Sequence, residues 1–125
     1  MDLNDIDEKI RNLLKRHIGV LRVQKELDEQ FEVSGTIETM QGKKKVAGIY
    51  FASVIAKPKD VRFYFFPIYT HKAQFDALSP ELQKMLKGKS CFHIKKLDLK
   101  LEQELMNLID RGIKLYQEDN MLAIT

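Results

Sequence analysis

Two neighbouring stretches, VAGIYFASVIA (46–56) and VRFYFFPIY (61–69), leave this chain few ways to fold. Both are dense in β-branched and aromatic residues, and Lys57-Pro58-Lys59-Asp60 between them has hairpin-loop chemistry. Side chains alternate along a strand, so Val61, Phe63 and Phe65 point one way and Arg62, Tyr64 and Phe66 the other. Beyond Arg62 both faces are apolar. Such a strand is either central and covered twice, or half-exposed and open to a partner. Pro67 then ends or bulges the ladder.

The flanking segments supply helices. Asn4 is placed to cap a first helix whose apolar positions are Ile6, Ile10, Leu13, Leu14 and His17 or Ile18, with Gly19 as its stop. Leu21, Val23 and Leu27 fit either an extended arm or a short helical turn, and the pattern leaves 20–30 open. Phe31, Val33 and Thr36-Ile37 predict a strand closed by a turn at Met40-Gln41-Gly42-Lys43. Ser79-Pro80-Glu81 starts a helix that runs to about Lys87 and stops at Gly88. Cys91 to Lys96 alternates as a fourth strand, and Asp98 caps a long helix striped with Leu101, Leu105, Leu108, Ile109, Gly112, Ile113 and Tyr116. Gly112 inside it implies a close backbone neighbour. The expected fold is α+β: one domain over residues 1–125, a mainly antiparallel four-stranded sheet with helices packed against it, in the order α-β-β-β-α-β-α.

Charge is unevenly distributed. Residues 1–40 carry 6 basic and 9 acidic side chains, residues 41–100 carry 13 and 4, and residues 101–125 carry 2 and 5. The basic middle is either an anion-binding face or a sheet neutralised by acidic helices nearby. The acidic opening MDLNDIDEKI lacks the chemistry of a secretory address, apolar runs are too short to span a bilayer, and the single cysteine, Cys91, suits a reducing compartment. These features lead us to expect a cytoplasmic protein.

KGKSCFHIKK (87–96) gathers the chemistry-bearing residues. A phosphate loop needs a glycine at Gln83 and a helix after the Gly-Lys-Ser, whereas a strand follows here. Cys91 and His93 share a strand face, but a metal site needs further ligands at matching spacing, and neighbours two apart on a strand sit ~7 Å apart. A half-buried cysteine beside an apolar-bodied histidine explains both without chemistry. The candidate ligand-binding residues are therefore Cys91, His93, Lys89, Tyr64 and Tyr69, with no catalytic residue assigned. Nucleic acid is not expected, because the aromatics Tyr50, Tyr64, Tyr69, Phe51, Phe63, Phe65 and Phe66 sit in no RNA-binding signature, and most such strand residues are simply core.

YFASVIAKPKDVRFYFFPIY followed by LSPELQKMLKGKSCFHIKKLD resembles the YdhG-like family of small bacterial domains of unknown function, over roughly residues 20–118. The resemblance implies an α+β sandwich-like domain in which Gly-Lys-Ser-Cys-Phe is a helix-to-strand junction. Some relatives are described as frataxin-like iron chaperones. By that resemblance alone, iron would be held by an acidic ridge beginning at Asp2, Asp5, Asp7 and Glu8, with Asp5 and Glu8 as metal candidates.

Residues and resemblance together lead us to expect a small cytoplasmic binding or accessory domain without evident catalysis. The alternatives are a frataxin-like iron chaperone and an enzyme using Cys91. No cofactor follows from the residue pattern. The expected partner is a small molecule or a protein, with the aromatic sheet surface lining a pocket or a homodimer interface.

Overall fold

The computed structural model describes residues 2–124. Helix α1 (Leu3–Lys15) is capped by Asp2, not Asn4: Asp2 Oδ1 accepts from the Asp5 N–H at 2.9 Å and Asp5 Oδ2 accepts from the Asp2 N–H at 3.3 Å. This reciprocal box satisfies two N–H groups that the first turn leaves free. Ile6, Ile10, Leu13 and Leu14 form its buried stripe.

Among the described residues eight strands follow the α+β expectation, with a correction in number and order. They are β1 (Leu21–Glu26), β2 (Gln30–Gly35), β3 (Thr39–Gln41), β4 (Lys44–Val46), β5 (Tyr50–Ala56), β6 (Val61–Phe65), β7 (Leu86–Lys87) and β8 (Cys91–Ile94). The main sheet is antiparallel with six strands, ordered β1-β2-β5-β6-β8-β7, in place of the expected four. The elements therefore do not run α-β-β-β-α-β-α.

Three local causes account for the difference. The open segment 20–30 is extended because β1 pairs with β2 along Leu21–Glu26, opposite Phe31–Gly35. The expected turn at 40–43 is the tip of a second hairpin, β3–β4, with Gly42 at φ +64. VAGIYFASVIA does not run as one strand, because the chain breaks between β4 and β5 where Gly48 lies on the Gly35 carbonyl.

Among the described residues four helices complete the fold: α1, α2 (Pro67–Thr70), α3 (Pro80–Met85) and α4 (Leu99–Glu118). Pro67 ends the ladder at Phe65, and its fixed φ then begins α2 where a longer strand was expected. A 3-10 turn, Lys72–Phe75, links α2 to α3. Ser79 caps α3, accepting from the Leu82 N–H at 3.1 Å while its hydroxyl donates to Glu104 Oε1 of α4 at 2.6 Å. Asp98 caps α4 through the Leu101 N–H at 2.8 Å.

The helices gather on one face of the sheet. Arg11 and Lys15 of α1 lie over the Phe31 ring, and Tyr116 of α4 meets Phe51 edge-on at 5.8 Å. Phe31, Val54, Phe63 and Phe92 stand opposite one another across four strands, all fully buried in this core. Gly112 does have a close neighbour, but it is side chain and not backbone: a Cβ there would meet the Phe65 ring at 2.7 Å and Pro67 at 3.0 Å. Among the described residues no helix is long and apolar enough to cross a membrane.

Candidate functional site

The other sheet face is where the sequence candidates meet. A bulge in the β2–β5 register shifts the pairing between Val33–Ala52 and Ser34–Tyr50, so Phe51 and Ala52 both turn to the core. Tyr50 and Ser53, three apart, thereby share the outer face and their hydroxyls hydrogen-bond at 2.7 Å. One cross-strand row on this face reads Lys25, Glu32, Ser53, Tyr64, Cys91, Lys87, and the next reads Gln30, Ile55, Arg62, His93.

Ladder phase decides which of these side chains touch. The Phe65 N–H donates to the Ser90 carbonyl at 2.8 Å, and hydrogen-bonded pairs alternate along an antiparallel ladder. Tyr64–Cys91 and Arg62–His93 are therefore the closely spaced, non-hydrogen-bonded pairs, with Cα atoms ~4.5 Å apart. Tyr64 and Cys91 are thus close enough for each to bear on the other's ionisation. Burial pushes the Cys91 thiol up from its ordinary value, and the weaker pull of Tyr64 and Arg62 does not reverse this. The Cys91 contact raises Tyr64 in turn, and burial pushes Tyr50 up to about 12.

His93 shares the face with Cys91 but turns away from it. Its Nδ1 lies 3.5 Å from Asp60 Oδ2, while Asp60 Oδ1 accepts from Arg62 Nε at 3.3 Å. Asp60, which the sequence marks only as a hairpin-loop residue, is 6% exposed and anchors both side chains. A thiol held protonated, with no base against it, is poorly equipped as a nucleophile. Asp5 is occupied by the α1 cap and Glu8 is exposed on the same helix. Among the described residues no three His, Cys, Asp or Glu side chains come together to hold a metal ion.

Tyr69 and Lys89 belong to a separate feature. Phe66 lies between Tyr50, tilted against it with centroids 5.5 Å apart, and Tyr69, on which it stacks at 5.8 Å, and Lys89 Nζ sits 5.5 Å from the Tyr69 ring centre. Beyond them opens a groove of about 850 Å³, within the range of small-molecule sites. Ile68, Phe75, Leu78 and Leu86 supply its apolar wall, and Lys72, Asp76 and Lys89 its charges. Three sequence signals build it: Pro67 starting α2, Ser79-Pro80 starting α3, and Gly88 at φ +69 turning the chain so that Lys89 faces Tyr69. Lys72 and Phe75 were not among the expected site residues, since a loop position carries no periodicity that predicts its neighbours.

The basic middle of the chain keeps its charge in the folded molecule. Acidic residues of α4 pair with α1, through Lys9–Glu102 at 3.4 Å and Arg16–Asp110 at 3.3 Å. Among the described residues Lys57, Lys59, Lys84, Lys87, Lys95 and Lys96 enter none of the salt bridges. Compared with family models, curated proteins and solved structures, the chain shows no significant match.

Proposed function

We propose that this chain is a cytoplasmic binding domain without catalysis, whose ligand is a small molecule with an apolar body and an anionic end. The observation that carries this reading is the groove of about 850 Å³ beside Tyr69, walled by Ile68, Phe75 and Leu78 and flanked by Lys72 and Lys89. Phe75 is 6% exposed and Ile68 4%, so the wall is anchored in the core and present before a ligand arrives. Lys89 is already drawn over the Tyr69 ring, which places its ammonium at the groove mouth where an anion would meet it. The YdhG-like resemblance enters as sequence pattern and adds no ligand. An iron-chaperone role would rest on that resemblance alone.

Anilinonaphthalene sulfonate combines an aromatic body with one anionic group and suits the test. It is expected to bind with a single saturable isotherm. Lys72→Glu/Lys89→Glu should weaken it about tenfold, equivalent to ~1.4 kcal/mol. Leu78→Arg should abolish it by filling the apolar wall. Non-saturating fluorescence, or affinity unchanged in both variants, would place the dye elsewhere and defeat the reading.

A further inference from the structure

Resting on the binding reading above, we infer that the ligand of the groove beside Tyr69 is a zwitterion: an apolar molecule that carries an ammonium as well as its anionic group. Asp76 is the residue that recognises the ammonium. Lys72 and Lys89 account for an anion, but Asp76 lines the same groove. A ligand with an anion alone would share that space with a like charge.

The fold holds these charges on separate supports. The 3-10 turn Lys72–Phe75 buries Phe75 in the core, and its C-cap Asp76 follows in a helical conformation, at φ −85 and ψ −7. Lys72 and Asp76 are thus rooted in one short element anchored by Phe75. Lys89 comes from the turn between β7 and β8 and lies over the Tyr69 ring. Arg111 of α4 reaches this region, but its Nε donates to the Gln74 carbonyl at 2.9 Å. Among the described residues Asp76, Lys72, Lys89 and Arg111 enter no salt bridge. Gln83 of α3 also lines the groove, and its amide can donate to and accept from a peptide bond.

Two ammonium groups and one carboxylate around an apolar wall discriminate by sign. An anion without a cation is drawn by the lysines and repelled by Asp76. A cation without an anion is drawn by Asp76 and repelled by both lysines. Only a ligand bearing both charges finds an opposite charge for each. A bare divalent cation is a poor match, since one carboxylate beside two lysines supplies too few oxygens. Asp76, Lys72 and Lys89 are exposed, so their effect is a several-fold selectivity resting on affinity that the apolar wall supplies.

The tripeptide Leu-Phe-Leu sets an apolar body between an ammonium and a carboxylate, and its ends can be capped one at a time. Displacement of anilinonaphthalene sulfonate at low salt reads the affinity of each form. At about pH 6.5 the terminal amine is charged, since it titrates near 7.7–8.0. The free peptide should bind about threefold more tightly than its N-acetyl form, and more tightly than its C-amide form. Asp76→Asn should erase the first difference, loosening the free peptide and tightening the N-acetyl form; the gain also shows that the variant remains folded. Asp76→Lys should invert the order. Equal binding of the free and N-acetyl peptides to the parent chain, or an undiminished preference in Asp76→Asn, would overturn the zwitterion. A dye that responds to Lys72→Glu/Lys89→Glu but yields to no form of the peptide would do the same, while leaving the anion-binding groove in place. A dye indifferent to that double charge reversal would remove the groove and the zwitterion together.

Discussion

Cys91 stands opposite Tyr64 in a non-hydrogen-bonded pair, where cross-strand side chains approach most closely. Burial is the larger influence and raises its pKa; the Tyr64 hydroxyl and the Arg62 charge each lower it by less. The neutral thiol therefore dominates at pH 7, and with 8% exposure it is also hard to reach. Alkylation by iodoacetamide at pH 7 should be at least about tenfold slower than for free cysteine, and should accelerate only above the ordinary thiol range near 8.5. Tyr64→Phe deletes a group that favours the thiolate, so the midpoint of the pH–rate curve should move further up. A downward shift, or rapid labelling at pH 6, would show that this account of the pair is wrong and would restore Cys91 as a nucleophile candidate.

At the scale of elements, Gly112 tests how tightly α4 seats on the sheet. Alanine is favoured over glycine in a helix interior by ~1 kcal/mol, but overpacking a filled core costs about 1–3 kcal/mol. A Cβ would meet the Phe65 ring at 2.7 Å, and that ring is enclosed by Phe51, Phe63 and Phe75. It has nowhere to retreat, so Gly112→Ala should destabilise by roughly 1 kcal/mol net in urea unfolding. A stabilised variant would show that the ring yields. The sequence pattern read this helix well because its 3.6-residue stripe matches the buried positions Leu101, Leu105, Leu108, Ile109, Ile113 and Tyr116. It could not read β1, whose only buried residue is Leu21: an edge strand with one covered side chain has no alternation, and only its pairing with β2 makes it extended. The bend at Gly35–Gly48 escaped for a similar reason, since close backbone approach between distant glycines leaves no periodic trace. The sheet-face candidates Tyr64, Cys91 and His93 were legible from alternation within two strands. The groove beside Tyr69 and Lys89 was not, because α2, the 3-10 turn and α3 assemble it from pieces that meet only in the folded chain.

For the whole molecule, placing every helix on one face divides its tyrosines between two environments, and this sets how the fold responds to alkali. Tyr116 is fully buried in the core, its hydroxyl hydrogen-bonded with Thr70 Oγ1 at 2.7 Å, and burial pushes its pKa upward. Tyr50 on the outer face is pushed up to about 12, again by burial first. An unfolded tyrosine titrates near 10, so the folded chain binds these protons more tightly than the unfolded chain. Their contribution is fully present below pH 10 and is lost as pH rises through the folded values. Cys91, also raised, begins the decline earlier, from its ordinary range near 8.5. Thermal stability should thus be level across pH 7–8, fall gently from about pH 9 and steepen above about pH 10. Each fully coupled tyrosine steepens that limb by ~1.4 kcal/mol per pH unit. Tyr116→Phe removes the titrating group, and Thr70 keeps a 2.9 Å hydrogen bond with His71 Nδ1. The variant should lose only about 1 kcal/mol at pH 7, the net worth of one hydrogen bond, and should fall less steeply in alkali than the parent chain. If its alkaline limb instead ran parallel to the parent's, core tyrosine ionisation would not be what opens this fold, and the uncovered sheet face with Tyr50 and Cys91 would have to give way first.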